Sequence, residues 1–290
     1  MRWAIGKVGI HQIIELEEGV GQVIQSIIKN ATPNNVKRIG WLFPDFADKE
    51  GNLKALVQSF LIRSEGKNIL IDACNGNGKA RTEFWGNLNT DFLQRLAKIG
   101  VAPEDVHAVV CTHIHTDHVG WNTRYQDGAW TPTFPHAKFF FAREEYEYWA
   151  RRTQSETGDD RAVFEDSVAP IIRAGLAELV DADCKISQNL SLIPAPGHTP
   201  GHVCVRVDSD GEQAVISGDL FHHPCQIANP NWTTDGDSLP DKVVETRERI
   251  LKQIADNGAL LIGSHFANPV AGRIEMVEGG FVLRRDKNPN

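Results

Sequence analysis

The sequence predicts an α/β (α+β) architecture: two mixed β-sheets packed together, with helices on the outside. Three observations predict it. Two segments share one order, an apolar strand, a polar turn with glycine, an apolar strand and a closing aspartate. They are FLIRSEGKNILIDAC (Phe60–Cys74, with Asp72) and VCVRVDSDGEQAVISGDL (Val203–Leu220, with Asp219). Helical patterns lie between and around these hairpins, without strict strand–helix–strand alternation. Two further apolar runs, HAVVCTHIH and ALLIGSHF, read as short buried strands that end on polar residues.

In chain order, the apolar run Val8–Ile14 reads as an edge strand or as the contact of a homodimer. GWLFPDFADKEGN (Gly40–Asn52) is a turn-rich loop that carries Trp41, Phe43 and Phe46 without helical or strand periodicity. NTDFLQRLAKIG has Asn89 or Thr90 as a cap, apolar residues at Phe92, Leu93, Leu96 and Ile99, and a closing Gly100, so it predicts a helix. REEYEYWARR, RAVFEDSVAPIIRAGLAELV and LPDKVVETRERILKQIADNG are expected to be helical, with Pro170 kinking or breaking the second. No low-complexity linker divides the chain. One domain is therefore expected over residues 1–290, with strands and a pocket loop inside residues 1–55.

Composition narrows the function classes. Of 290 residues, 41% are hydrophobic and 23% charged, which is ordinary for a globular chain with a full core. The net charge of -8 and the lack of a Lys/Arg-rich run argue against a nucleic-acid partner. The five cysteines are scattered and form no C-x-x-C pair, so neither a disulfide framework nor a thiolate zinc knuckle is expected. The first residues soon carry Glu15, Glu17 and Glu18 and lack the apolar core of a secretory signal. No apolar run approaches the roughly 18 residues of a membrane span. A cytoplasmic protein acting on a small molecule is the expectation.

The chemistry-bearing stretch is CTHIHTDHVGW, Cys111–Trp121. On an extended segment His113 and His115 face one side, because side chains i and i+2 do. A turn at Thr116 then aims Asp117 and His118 at a neighbouring point. Further donors come from loops at strand ends: His198 in PAPGHTPGH, Asp219 in ISGDLFHHP and His265 in LLIGSHF. Imidazole and carboxylate donors suit zinc, iron, manganese or cobalt. A water bound by such ions has its pKa lowered to about 7, which makes hydroxide available at neutral pH.

In these motifs, from about Leu56 to Phe266, the chain resembles the metallo-β-lactamase superfamily. The resemblance implies an αββα sandwich with a dinuclear site at one edge. It implies His113, His115 and His198 on one metal, Asp117, His118 and His265 on the other, and Asp219 as the bridge. Asp72 matches a structural acid of the family rather than a ligand. His115 stands where the family's flavin-linked di-iron members carry glutamate, and Asp219 where its main zinc β-lactamase branch has cysteine. The first argues against the oxygen-reducing branch and the second, with His118 retained, against a dedicated β-lactamase; a hydrolase with two Zn2+ ions, most of all a lactonase, is expected. Asp219 and Asp117 are its expected catalytic carboxylates, the one holding the metal spacing and the other orienting the water. The lactonases of the family commonly have tyrosine three residues after the bridge; here that position is His222, as in organophosphate-hydrolysing relatives. His222 is thus the candidate to protonate the leaving group or bind the oxyanion, ahead of His223. Trp41, Phe43, Phe46, Trp121 and Phe221 are the expected substrate-binding aromatics, with Trp232 beside them. A phosphotriester hydrolase, a thioesterase of the glyoxalase II type and a single-iron sulfur dioxygenase are the alternatives.

Overall fold

The computed structural model describes residues 1–155 and 157–285. The chain divides into two compact units. One, the central unit, comprises Gly9–Glu15 and Gln58–Ala182; the other comprises Met1–Val8, Leu16–Val57 and the chain from Asp183 onward, and is called the terminal unit here. Among the described residues no helix is long and apolar enough to cross a membrane.

The central unit is built on a seven-stranded sheet. After β1 (Arg2–Ile5), which belongs to the terminal unit, its strands are β2 (Val8–Leu16), β3 (Val57–Ser64), β4 (Lys67–Ile71) and β5 (Ala108–Val110), then β8 (Lys138–Ala142) and β9 (Ala177–Val180), in that spatial order. Between β5 and β8 in sequence, β6 (Thr123–Gln126) and β7 (Ala129–Pro132) form a separate hairpin. β3 pairs antiparallel with β4, and β4, β5, β8 and β9 run parallel. The β3–β4 turn places Glu65 at φ 54° and Gly66 at φ 73°, the two positive angles that a two-residue hairpin turn needs.

The terminal unit carries a six-stranded sheet of β10 (Leu190–Pro194), β11 (Val203–Ser209), β12 (Glu212–Ile216), β13 (Leu260–Ile262), β14 (Ala271–Val277) and β15 (Gly280–Arg285), also in that order. Again an antiparallel hairpin, β11–β12, is followed by a parallel strand, β13. Its turn, Asp210–Gly211, repeats the two positive φ angles, 52° and 80°. The two halves are built alike, as the paired hairpin sequences predict. β4, β5, β12 and β13 are buried throughout or at their ends, which is what strands covered on both faces require.

The helices agree in part. Pro240–Asn257 is one helix that ends on Gly258 in the left-handed conformation. The helix before Gly100 spans Phe92–Lys98 with Asp91 at its N-cap, because Thr90 is committed elsewhere: its hydroxyl donates to Glu15 Oε1. The stretch 161–180 is not one helix. It runs as Asp159–Val163, a wide π turn over Phe164–Val168 and Ala169–Arg173, and then Gly175 at φ 68° releases the chain into β9. Pro170 sits in the first turn of the last segment, where its missing N–H is tolerated.

What positions the site in the central unit is the close passage of two loops. After β4, Asp72 and Cys74 adopt positive φ, 56° and 40°. Ala73 N donates to His118 O at 2.6 Å, and Gly120 N and Trp121 N donate back to Cys74 O and Ala73 O, each at 2.7 Å. The buried Glu15 carboxylate fastens this ladder, taking Asn75 N at 2.7 Å, Trp121 Nε1 at 2.6 Å and Thr90 Oγ1 at 3.0 Å. Burial raises the pKa of Glu15, and those donors oppose the rise. There is no room at Gly120 for a side chain: a Cβ there would lie 1.7 Å from Asn75 O. Gly120→Ala is therefore expected to destabilise the protein by about 3 kcal/mol or more, at the upper end for overpacking. Urea unfolding checks this; a midpoint equal to that of the wild type would refute the packing argument.

Candidate metal centre

In the central unit the motif divides by parity. β5 ends at Val110, and His113 follows three residues later. Alternate residues, 112, 114 and 116, are gripped from behind. Asp72 accepts from Thr112 N at 2.7 Å and from Thr112 Oγ1 at 2.9 Å. Glu145 Oε1 accepts from Ile114 N at 2.9 Å and from Trp149 Nε1 at 2.7 Å. Arg81 Nε donates to Thr116 Oγ1 at 3.0 Å. The residues between them present donors. His113 Nε2 and His115 Nδ1 are 3.0 Å apart, and both offer ligand atoms to a common point. At Thr116 the chain turns into the short helix Thr116–Val119, which carries Asp117 and His118; their Oδ1 and Nε2 are 3.8 Å apart.

The terminal unit supplies three more donors. Gly197 precedes His198 at φ 147°, and a Cβ on it would lie 2.4 Å from Val243 Cα; only glycine lets this loop lie against the helix Pro240–Asn257. Leu239 N and Ser238 N bond Gly197 O and His198 O. His265 follows the end of β13 by three residues, as His113 follows β5. Around the buried Asp219 carboxylate stand three imidazole Nε2 atoms, of His265 at 3.1 Å, His222 at 3.2 Å and His198 at 3.6 Å. Asp219 N donates to His202 Nε2 at 3.0 Å, so His202 fixes the backbone of that carboxylate.

The donor set fits a divalent cation on one criterion above others. A ligating imidazole needs one nitrogen committed to a hydrogen bond so that the other can present its lone pair. His118 Nδ1 is 2.9 Å from Asp72 Oδ2, His198 Nδ1 is 2.9 Å from Asp237 Oδ1, and His265 Nδ1 is 2.8 Å from Leu56 O. Each therefore turns Nε2 outward. Asp237 also accepts from Thr234 N at 2.7 Å. Burial pushes its carboxyl up, but the His198 hydrogen bond and the nearby Arg247 guanidinium oppose burial, and the carboxyl is held well below the usual carboxylate range.

Several residues that hold the site were not singled out in the sequence: Glu145, Arg81, Asp237 and Arg247. Arg247 is fully buried on the helix Pro240–Asn257 and ties down the loop after Asp219, donating to Leu220 O at 2.7 Å and Trp232 O at 2.9 Å. Burial lowers its pKa to about 10, which leaves it a cation at neutral pH. The bonds from Glu145 to Ile114, Arg81 to Thr116, Asp237 to His198 and Arg247 to Leu220 each span more than 25 positions, and no shared motif links the partners.

The aromatic candidates separate. Phe43 is 56% exposed and borders a cavity of about 250 Å³ with Val36, Ile39 and Leu42. Trp41 and Trp232 line an open cleft of about 500 Å³. Phe46, Trp121 and Phe221, expected at a substrate pocket, are core residues instead. Phe46 packs edge-on to Phe266, Trp121 stacks on Phe92 and donates to Glu15, and Phe221 is fully buried. Their place in irregular segments carried no information on burial. His223 is also structural: Nε2 meets Phe46 O at 2.8 Å and Nδ1 accepts Cys225 N at 3.0 Å. His222 is buried, with its ring parallel to that of His265 at 6.0 Å.

Residues 55–265 match the family model described as metallo-beta-lactamase superfamily. A Mycobacterium tuberculosis protein named as a probable metallo-hydrolase is 27% identical over 192 residues, 61% of this chain and 58% of that protein. An N-acyl homoserine lactonase of Bacillus thuringiensis is 24% identical over 175 residues, 55% of this chain and 61% of that protein. The chain thus spans about 58% of the length of the mycobacterial relative. Among solved structures, the dizinc quorum-quenching lactonase AidC, in complex with a product, aligns with a TM-score of 0.79 at 21% identity, covering 100% of this chain and 98% of that one. The hydrolase AbOPH aligns at 0.81 and 23% identity, with the same coverage. These likenesses show the fold.

Two outcomes follow from the hydrogen bonds and burial. Asp72→Asn leaves the volume unchanged but puts an amide where Thr112 and His118 need an acceptor. Its affinity for a divalent cation, measured by chelator competition, is expected to fall by about 10- to 100-fold. His223 has its pKa lowered from 6.5 to about 4 by burial. The folded state therefore favours the neutral ring more than the unfolded state does. Its contribution is fully present above about pH 6.5 and is lost as pH falls from there towards 4, at up to about 1.4 kcal/mol per pH unit. His223→Gln should flatten that part of the stability–pH curve relative to the wild type; parallel curves would contradict the assignment.

Proposed function

The chain belongs to the metallo-beta-lactamase superfamily, and from that premise we propose that it is a metal-dependent hydrolase of a small carboxylic ester, with lactones as the substrate class and two Zn2+ ions as cofactor. In this reading His113, His115 and His198 would hold one ion, Asp117, His118 and His265 would hold the other, and Asp219 would serve both. The observation that carries it is the donor set. The central unit offers the ligand atoms of His113, His115, Asp117 and His118, and the terminal unit those of His198, Asp219 and His265. Within these groups the rings of His118, His198 and His265 are each held through Nδ1.

When bound, the ions supply a water of lowered pKa and polarise the carbonyl oxygen of the substrate. The chain's own residues do the rest. Asp219 is fixed at its backbone by His202. Asp117 orients the attacking water; as a ligand it is a weak base. His222 Nε2 stands 3.2 Å from Asp219 Oδ2, and Gln226 Oε1 holds His222 N at 2.8 Å. Burial lowers the pKa of His222, with Asp219 opposing. His222 would bind the developing oxyanion or protonate the leaving group. Trp41 and Phe43 are the aromatic residues offered to the apolar part of the substrate.

The lactonases named among the relatives and neighbours support a lactone. His222, in place of the usual tyrosine, favours a phosphotriester as the second reading. The test is kcat/KM of the zinc-loaded protein on N-hexanoyl homoserine lactone, followed by a pH indicator, beside a dialkyl aryl phosphate. A lactone value above about 10⁴ M⁻¹s⁻¹, lost on chelation, is expected. Two bound Zn2+ ions with turnover of the phosphate alone would replace the substrate class, and turnover of neither would sink it.

A further inference from the structure

We propose that Arg81, clamped by Asp166, is a positioning residue that sets the turn between the two halves of the ligand motif; this rests on the metal-site reading above. The clamp is wholly within the central unit. Arg81 Nη1 and Nη2 donate to Asp166 Oδ2 and Oδ1, each at 2.8 Å. A two-pronged pair fixes the plane of the guanidinium as well as its position. With both terminal nitrogens engaged, Nε is aimed at Thr116 Oγ1 at 3.0 Å.

The carboxylate is itself immobilised. Lys79 Nζ lies 3.3 Å from Asp166 Oδ1 and 2.9 Å from Thr123 Oγ1, beneath the Trp130 ring at 3.8 Å. Ser167 Oγ donates to the same Oδ1 at 2.6 Å. Asp166 occupies the π turn Phe164–Val168, a widening that shifts which side chains face inward. The neighbouring Thr82 is tied by N and Oγ1 to Asp159 Oδ2, at 2.8 and 2.6 Å. Two cations thus share one buried carboxylate, an arrangement costly to bury and poorly explained by stability alone.

Thr116 is where the arrangement acts. It is the first residue of the helix Thr116–Val119, after His115 in extended conformation (φ -106°, ψ 163°). The hydroxyl therefore sits where the ligand pair His113 and His115 gives way to a helical one, Asp117 and His118. A bond from Arg81 fixes where that change of direction occurs. Loosening it would swing the second pair against the first without removing any ligand.

The experiment compares Thr116→Val, Thr116→Ser and Arg81→Gln with the wild type. Zn2+ dissociation constants come from chelator competition, and Co2+ absorption spectra report ligand geometry. Thr116→Val keeps the shape and removes only the acceptor. It is expected to weaken Zn2+ binding by about 10-fold or more and to change the Co2+ spectrum, while Thr116→Ser stays within about threefold of wild type. Arg81→Gln should weaken it further. Should Arg81→Gln fail to fold, the threonine pair decides. Wild-type affinity in Thr116→Val, or equal weakening in both threonine variants, would overturn the proposal, since the hydroxyl would then not be what matters. A wild-type protein that takes up no Zn2+ overturns the metal reading itself and this inference with it.

Discussion

An imidazole binds a cation well only when its second nitrogen is already spoken for. Much of the site's construction answers to that requirement. Asp72, Asp237 and the carbonyl of Leu56 take the Nδ1 atoms of His118, His198 and His265. Those acceptors are deeply buried, and a buried carboxylate costs several kcal/mol unless it is paired and hydrogen-bonded. Hence the partners of the partners: Thr112 on Asp72, Thr234 and Arg247 near Asp237. His118 and His198 are thereby each fixed through at least two residues behind them.

The backbone meets the same demand for precision in both units. Ligands sit just past the ends of short buried strands, β5 and β13, each reached through an antiparallel hairpin and one parallel neighbour. A strand flanked on both sides has little freedom, so the first residues beyond it inherit its rigidity. Further out, rigidity comes from close backbone passage, which is why Gly120 and Gly197 occur where any Cβ would strike main chain. Aromatic bulk is spent on support: Trp121 and Phe46 wedge the loops that carry ligands and leave the open surface to Trp41 and Phe43.

Much of this was legible from local pattern. The alternation of His113 and His115, the turn at Thr116 and the placement of His198, Asp219 and His265 at strand ends all follow from short-range periodicity, and the hairpins follow from glycine turns between apolar runs. Legibility failed where a residue's role depends on a distant partner. The run 176–180 is apolar and short enough to suit helix or strand; its parallel pairing with β8 decides for strand. Thr90 has the chemistry of a cap, but Glu15 takes its hydroxyl.

The sequence by itself determined the kind of chemistry, because donor type and i, i+2 spacing are local properties that survive in any fold accommodating them. It also determined the hairpins, since positive φ at Glu65–Gly66 and Asp210–Gly211 is written into the turn residues. Only the tertiary structure decided which groups hold those donors still. Glu145 reaches Ile114 across 31 positions, Arg81 reaches Thr116 across 35, and His198 finds Asp237 39 residues on. A hydrogen bond is specified by distance and angle between two atoms, and those are fixed only once the whole core has packed.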